Sequence, residues 1–149
     1  MLDYFISTDK NLLDIRVIYE FIHNESYWAK GRDIETIRKS IEHSTLCFGI
    51  YKTEGQKQVG FARVITDLTT HAYLADVFVV KEFRGLGLSK MLVETIVNHP
   101  LLKDVNKMLL ATEDAHTLYE KFGFVKVAKP DFYMQRMNTR HFTSNERSC

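Results

Sequence analysis

The chain has 149 residues, of which 45% are hydrophobic and 26% charged, and its formal net charge is +1. This length suits one domain with its own core, and the composition excludes the disordered and fibrous classes. The 20 basic residues balance 19 acidic ones, so we expect no nucleic-acid partner. Because no secretory pattern or membrane-length apolar run is present, we expect a cytoplasmic protein without a membrane partner.

The N-terminal part predicts one strand followed by two helices. The strand covers about residues 4–7, and residues 24–32 form a polar loop between the helices. The second helix is expected to start near Asp33. The first helix has a core-facing side that is recognised from apolar residues at helical spacing: Leu12, Ile15, Ile18, Tyr19 and Ile22.

The middle of the chain predicts an antiparallel meander. Apolar runs at 45–51 and 59–66 are joined by a polar hairpin tip, and a third strand covers about 71–80. A helix over 88–98 then leads to a strand at 107–111. Since a helix-bridged crossover usually joins parallel strands, the last strand should lie parallel to the third.

The C-terminal part predicts two more strands, at 124–128 and about 132–137, after a short helix that Gly123 ends. The resulting order is βααβββαβαββ, a mixed sheet with helices on both faces. We expect a single domain over residues 1–137 and a polar tail over 138–149. Of the two cysteines, Cys47 lies in an apolar run and is expected in the core. Cys149 is the last residue, and we expect neither a disulfide nor a metal site.

The most informative segment reads Arg84-Gly85-Leu86-Gly87-Leu88-Ser89 and lies between a strand and a helix. Glycines let the main chain approach a pyrophosphate closely, and the helix N-terminus adds a positive dipole end. A dinucleotide-binding turn would require a third glycine where Lys90 stands, and a mononucleotide P-loop would require four residues between its glycines. Neither pattern fits.

The segment does resemble the acetyl-CoA signature of the Gcn5-related N-acetyltransferase (GNAT) family, Gln/Arg-x-x-Gly-x-Gly/Ala, with Ser89 in place of the usual last residue. A second segment, Asp114-Ala115-x-x-Leu118-Tyr119-x-Lys121-x-Gly123-Phe124, is similar to that family's Asn-x-x-Ala-x-x-Leu-Tyr-x-x-x-Gly-Phe pattern. The resemblance covers about residues 3–137. It implies an α/β (α+β) fold with a mixed, mostly antiparallel sheet of six to seven strands and about four helices, splayed between strands 4 and 5. It also implies acetyl-CoA as cosubstrate and leaves a homodimer open.

The resemblance further assigns roles to matched residues. It implies that a pyrophosphate binds the main-chain amides of Arg84, Gly85, Leu86, Gly87, Leu88 and Ser89, and that pantetheine pairs with Val77, Phe78 and Val79. The Val79 N–H would polarise the thioester carbonyl. Tyr119 would act as the general acid that protonates the departing thiolate. The alternative for Tyr119 is an ordinary core aromatic residue.

The general base is not evident from the sequence. The strand positions that carry it in some family members are Tyr73 and Ala75 here. Asp76 is the only carboxylate in that strand, but regular alternation places it on the opposite face from Tyr73, Ala75 and Val77. Asp76 is therefore a weak base candidate, and Asp67, His71 and a water chain stay open.

The resemblance implies that the loop between the first two helices, residues 26–31, lines the acceptor pocket. Its candidate lining residues are Tyr27, Trp28, Arg63 and Tyr73, with Asp67, Phe132 and Tyr133 as further contributors. Such an aromatic and modestly polar pocket suits a small amine better than a long acidic peptide. The resemblance implies that the acetyl group is transferred directly to a primary amine of that molecule. A protein or peptide amine, a non-catalytic acyl-CoA-binding sensor and an interaction module are the alternatives.

Overall fold

The computed structural model of the chain describes residues 3–138. Within this range the strands are β1 (Tyr4–Ser7), β2 (Leu46–Lys52), β3 (Gln58–Thr66), β4 (His71–Val79) and β5 (Lys107–Leu109). The α-helices are α1 (Ile15–Asn24), α2 (Ile34–His43), α3 (Leu88–Val97) and α4 (His116–Glu120). Within the described residues, three short 3-10 helices cover Lys10–Leu12, Lys81–Phe83 and Pro130–Phe132. No helix in residues 3–138 is both long and apolar enough to cross a membrane.

The strands form one mixed sheet in the order β1-β2-β3-β4-β5. The first four are antiparallel neighbours, and β5 lies parallel to β4. The β4–β5 pairing is limited to His71–Tyr73 with Lys107–Leu109, although β4 continues to Val79. The sheet is therefore splayed beyond Tyr73, as expected.

Helices cover both faces of the sheet. Asp14 and Asp33 begin α1 and α2 by accepting hydrogen bonds from the N–H groups of Arg16 (3.0 Å) and Thr36 (2.7 Å). The α1/α2 face buries Ile18, Ile22, Ile37, Cys47, Phe61 and Phe78, and the opposite face buries Phe48, Val64, Leu74, Leu92, Ile96 and Tyr119. The core position expected for Cys47 is confirmed, and burial raises the pKa of its thiol to about 11.

A β-bulge in β4 changes which side chains share a face. Phe61 pairs with Phe78 and Arg63 with Ala75, so two steps along β3 match three along β4. Asp76 lies within the extra step, with a left-handed φ of 53°. The predicted alternation was therefore wrong at this point: Asp76 contacts Arg63 and the α1–α2 loop, on the same face as Tyr73 and Ala75.

The prediction of two C-terminal strands at 124–128 and 132–137 is wrong, and the strand predicted at 107–111 ends at Leu109. The sheet thus has five strands within residues 3–138 instead of six to seven. A strand needs a partner ladder and a buried face. Here β5 has only three residues, Pro130 begins a 3-10 helix, and Val125 and Met134 are 85% and 98% exposed. Of the expected tail, residues 139–149 lie outside the described residues.

Candidate active site

The glycine turn between β4 and α3 forms an open backbone cradle. Gly85 and Gly87 have φ values of 81° and 80°, which favour glycine, and a Cβ added at either would meet nothing within 4 Å. The left-handed φ explains these glycines, and the open space above them leaves the backbone accessible to a ligand. The first N–H groups of the ten-residue helix α3 follow directly, without a side-chain cap. This arrangement fits an oxyanion ligand such as pyrophosphate.

Arg84 ties this turn to the end of β4. Its Nε donates to the carbonyl oxygen of Val79 at 3.0 Å, and its guanidinium lies 5.8 Å from the centre of the Phe21 ring. The contact fixes the turn beside the last strand residue. The same guanidinium contributes a positive charge next to the cradle.

The Val79 N–H points away from β3. Val80 donates its N–H to the Val59 carbonyl at 2.8 Å, so these two form a hydrogen-bonded antiparallel pair. The next pair, Gly60 with Val79, is then a non-hydrogen-bonded pair whose N–H and C=O groups face outward. Since β5 has already diverged, the outward side of Val79 is the gap of the splayed sheet.

A pocket of about 560 Å³ lies at this gap. Its walls come from the α1–α2 loop, β3, β4, the segment after β5, and α4. The lining residues include all four acceptor-site candidates, Tyr27, Trp28, Arg63 and Tyr73, together with Asp76, Val77 and Tyr119. The backbone N–H of Glu113 donates to the Tyr27 hydroxyl at 2.8 Å, and this bond joins the two loops on either side of the pocket.

Asp76 is the centre of a charged cluster in the pocket wall. Its Oδ2 accepts from Arg63 Nε at 2.7 Å and Arg32 Nη1 at 3.0 Å, and its Oδ1 accepts from Trp28 Nε1 at 2.7 Å. The Asp76 side chain is only 3% exposed. The cluster therefore anchors the α1–α2 loop to the bulge in β4.

These contacts make Asp76 a poor proton acceptor. Burial raises the pKa of Asp76, but the charges of Arg32 and Arg63 and the hydrogen bonds from Arg63 and Trp28 outweigh it, so the pKa lies below its ordinary value. A carboxylate held this firmly in its charged form is a weak base. The geometry favours a positioning role for Asp76 over a catalytic one.

Tyr119 lies on the opposite side of the gap, on α4, with its ring 5.6 Å from that of Phe124. It is 7% exposed and lines the pocket. Burial, together with the nearby Tyr27 and Asp114, raises its pKa to about 12. The phenol is therefore protonated at any physiological pH, as a proton donor must be.

Four other candidates lie away from this pocket. Asp67 accepts hydrogen bonds from the backbone of Thr69, Thr70 and His71, so it closes the β3–β4 turn, and His71 is exposed at that turn. The expectation that Phe132 and Tyr133 line the acceptor pocket is wrong. Because no C-terminal strand forms, both residues line a second groove beside β5.

Three charged residues of the pocket are not evident from the sequence. Arg32 lies in the α1–α2 loop, and Glu113 and Asp114 line the wall before α4. A guanidinium near the start of α2 carries no signal until a buried carboxylate is known to face it. Asp114 belongs to the second motif, which was the available signal. Among residues 3–138, no group of three or more His, Cys, Asp and Glu side chains is placed to hold a metal ion.

Comparison with known proteins agrees with this geometry. The family model described as "Acetyltransferase (GNAT) domain" matches residues 43–126. A proposed acetyltransferase from Gibberella zeae is 30% identical over 81% of this chain and 78% of its own length. An uncharacterised N-acetyltransferase from Pyropia yezoensis is 27% identical over 83% of this chain and 71% of its own.

A solved structure is also similar to this chain. The crystal structure of a Xanthomonas campestris pv. campestris protein assigned to the GNAT family is 42% identical to this chain, with a TM-score of 0.85. The alignment covers 91% of this chain and 93% of that one. By its motifs, its splayed sheet and these relatives, the chain belongs to the GNAT family and is an acetyltransferase.

Proposed function

We propose that the protein transfers the acetyl group of acetyl-CoA directly to the primary amine of a small molecule bound in the 560 Å³ pocket. The observation that carries this proposal is the gap beyond Tyr73 and Leu109. The outward N–H of Val79 and the hydroxyl-bearing Tyr119 both border this gap. The glycine cradle follows the C-terminal end of β4. The polar pocket lies beside β4 itself.

The chain's own residues would hold acetyl-CoA along β4. The amides of residues 84–89 would bind its pyrophosphate, helped by the α3 dipole and Arg84. The main chain of Val77–Val79 would pair with its pantetheine arm in place of a neighbouring strand. Acetyl-CoA supplies the activated acetyl thioester. The open backbone positions at Gly85 and Gly87 support this placement.

The reaction requires four events at named groups. The neutral amine attacks the thioester carbon, while the Val79 N–H stabilises the negative charge that develops on the carbonyl oxygen. The carbon–sulfur bond then breaks, and Tyr119 donates its proton to the thiolate. The proton released by the amine passes to water or to the carboxylates of Glu113 and Asp114, which line the pocket. Tyr119 regains a proton from the solvent, so the reaction has no net change in protons.

The contact between the two loops on either side of the pocket favours a small acceptor over a protein chain. The hydrogen bond between Tyr27 and Glu113 links the two loops that a long peptide would have to separate. The cytoplasmic location expected from the sequence stays a prediction, and a homodimer stays open.

The test is release of free thiol from acetyl-CoA across a panel of small amines, amino acids and short peptides, with mass spectrometry of each product. We expect acetylation of one or more small amines. Acetylation of peptides alone would replace the small-molecule proposal. Tight acetyl-CoA binding without transfer to any amine would instead indicate the non-catalytic sensor.

A further inference from the structure

The cluster around Asp76 has one more positive than negative charge. Arg32 and Arg63 both pair with the single Asp76 carboxylate. Within the described residues, neither arginine has another ion-pair partner. Uncompensated charge in a partly buried place is unfavourable, because the surroundings solvate it less well than water does.

The carboxylate of Asp76 has little capacity left to compensate the second arginine. Three donors already occupy its two oxygens. Arg63 is 13% exposed and also reaches Ser44 Oγ at 3.4 Å, so it is mostly committed to the protein. Arg32 is 25% exposed and lines the pocket.

Arg32 has donors to spare for a ligand. A guanidinium carries five N–H donors in a planar fork, and Arg32 uses one of them, on Nη1, for Asp76. The fork matches the geometry of carboxylate and phosphate oxygens. Because Asp76 holds Arg32 in place, an anion would meet a donor that is already oriented.

The other wall of the pocket has the opposite charge. Glu113 and Asp114 line it on the segment before α4, close to Tyr119. An ammonium group is stabilised beside these carboxylates, and an anionic group is stabilised beside Arg32. The pocket is therefore lined by charges of both signs, as a ligand with both charges requires.

We propose that the acceptor is a primary amine that also carries a carboxylate or phosphate group, and that Arg32 determines this specificity by binding the anion. The proposal rests on the proposed function, since it places the acceptor in the same pocket. It narrows the substrate class from amines in general to amino acids, amino phosphates and related zwitterions.

The test compares matched ligands that differ only in the anionic group. Binding of phenylalanine and phenethylamine, and of O-phosphoethanolamine and ethanolamine, is measured by calorimetry on the protein saturated with CoA. We expect the anionic member of one pair or both to bind more tightly, by on the order of 10-fold to 100-fold. The pair that shows the preference distinguishes carboxylate from phosphate, and equal binding within both pairs would overturn the proposal.

Arg32→Met tests whether Arg32 is the source of the preference. It leaves Asp76 paired with Arg63 and Trp28. The Arg32 N–H can still donate to the Ala29 carbonyl, and the Arg32 carbonyl can still accept from the His23 ring. We expect it to remove the preference while the neutral amines keep their affinity. Arg38→Met is the control, because Arg38 pairs with Glu35 on the surface of α2 and does not line the pocket.

The outcomes separate this proposal from the proposed function. Equal weakening of both members of a pair by Arg32→Met would indicate a structural role and overturn the assignment. Since binding needs no turnover, a clear preference for the anionic ligand without acetyl transfer would support the anion site and contradict the proposed function. Transfer to neutral and anionic amines with equal kcat/KM would support the proposed function and overturn the anion site.

Discussion

Asp76 combines an unusual backbone conformation with a carboxylate whose two oxygens both accept hydrogen bonds. A left-handed φ costs most L residues about 1–2 kcal/mol, and aspartate and asparagine tolerate it best. The φ of 53° persists here because Trp28, Arg32 and Arg63 hold the carboxylate. Only aspartate satisfies both requirements at this position, since asparagine lacks the charge and glutamate lacks the backbone tolerance.

Asp76→Asn should destabilise the protein by about 3 kcal/mol, because it leaves two partly buried guanidinium groups without their counter-charge. Urea unfolding measures this loss. Glu35→Gln is the matched control, since it removes a surface pair whose carboxylate is 79% exposed and should change stability by less than about 0.5 kcal/mol. A similar small change for both variants would mean that the cluster does not hold the bulge.

Tyr119→Phe should lower kcat by about 10-fold to 100-fold, at or below the lower end of the range for general acid catalysis, because a thiolate is a tolerable leaving group. The affinity for CoA should stay nearly unchanged, since the ring still packs against Phe124. Steady-state kinetics and CoA titration provide the two readouts. Tyr4→Phe is the control, because Tyr4 lies on β1, outside the pocket. An unchanged kcat would remove Tyr119 from the mechanism.

At the level of secondary structure elements, the glycine turn and α3 form one unit. The turn places two left-handed glycines directly before the first N–H groups of the helix. This geometry was predictable from residues 84–89, because two glycines directly before a helix indicate a turn with left-handed backbone conformations. The bulge in β4 was not predictable, because it depends on Arg32 and Arg63, which come from other parts of the chain.

Ser89→Glu should weaken CoA binding by on the order of 10-fold or more, because its carboxylate would repel the pyrophosphate. The fold should not suffer, since a negative charge in the first turn of a helix is favourable by roughly 0.3–1 kcal/mol. Calorimetric titration with CoA measures the affinity and thermal unfolding the stability. Ser89→Gln keeps the size without the charge and serves as the control. If both variants bind CoA equally well, the charge at this turn is not near the ligand.

The segment after α4 shows the limit of pattern reading at this scale. Residues 124–128 are mostly apolar, as in a strand, yet within this segment only Phe124 packs against the core, and Val125 is 85% exposed. An apolar run indicates that a strand could form. It does not supply the partner strand, and the three residues of β5 offer too short a ladder.

Amide hydrogen exchange should therefore be much faster in residues 124–128 than in β4, by about two orders of magnitude or more, because no strand ladder protects those N–H groups. Exchange measured by mass spectrometry on peptides from each region tests this. Peptides from β2, which has strands on both sides, give the protected reference. Equal protection of 124–128 and β4 would mean that the C-terminal strands form after all.

At the level of the whole molecule, the sequence predicted the architecture better than the site. The strand and helix order up to α4 and the antiparallel meander were confirmed, because each element buries its apolar side locally. The charged wall of the pocket was missed, because its members lie on three separate segments around Arg32, Asp76 and Glu113. Only the fold brings such residues together, so spacing along the chain does not reveal them.

The cluster also links global stability to pH. The pKa of Asp76 is lowered by folding, so its ion pairs stabilise the protein above the unfolded pKa of about 3.9 and this stabilisation is lost as pH falls through the folded pKa. The difference in unfolding free energy between the wild type and Asp76→Asn should thus be constant above about pH 5 and shrink below about pH 4. Urea unfolding of both proteins from pH 7 to pH 3 measures it. A difference that is the same at pH 3 and pH 7 would show that the carboxylate charge is not its source.

The splay between β4 and β5 has a consequence for the order in which substrates bind. Val77 and Tyr119 border both the gap and the amine pocket, so a pantetheine arm lying in the gap would complete one wall of the pocket. Without acetyl-CoA in the gap, the pocket would lack this wall, and no acetyl carbon would be present for the amine to attack. We therefore expect a compulsory order, in which the nucleotide substrate enters before the amine and leaves after the acetylated product.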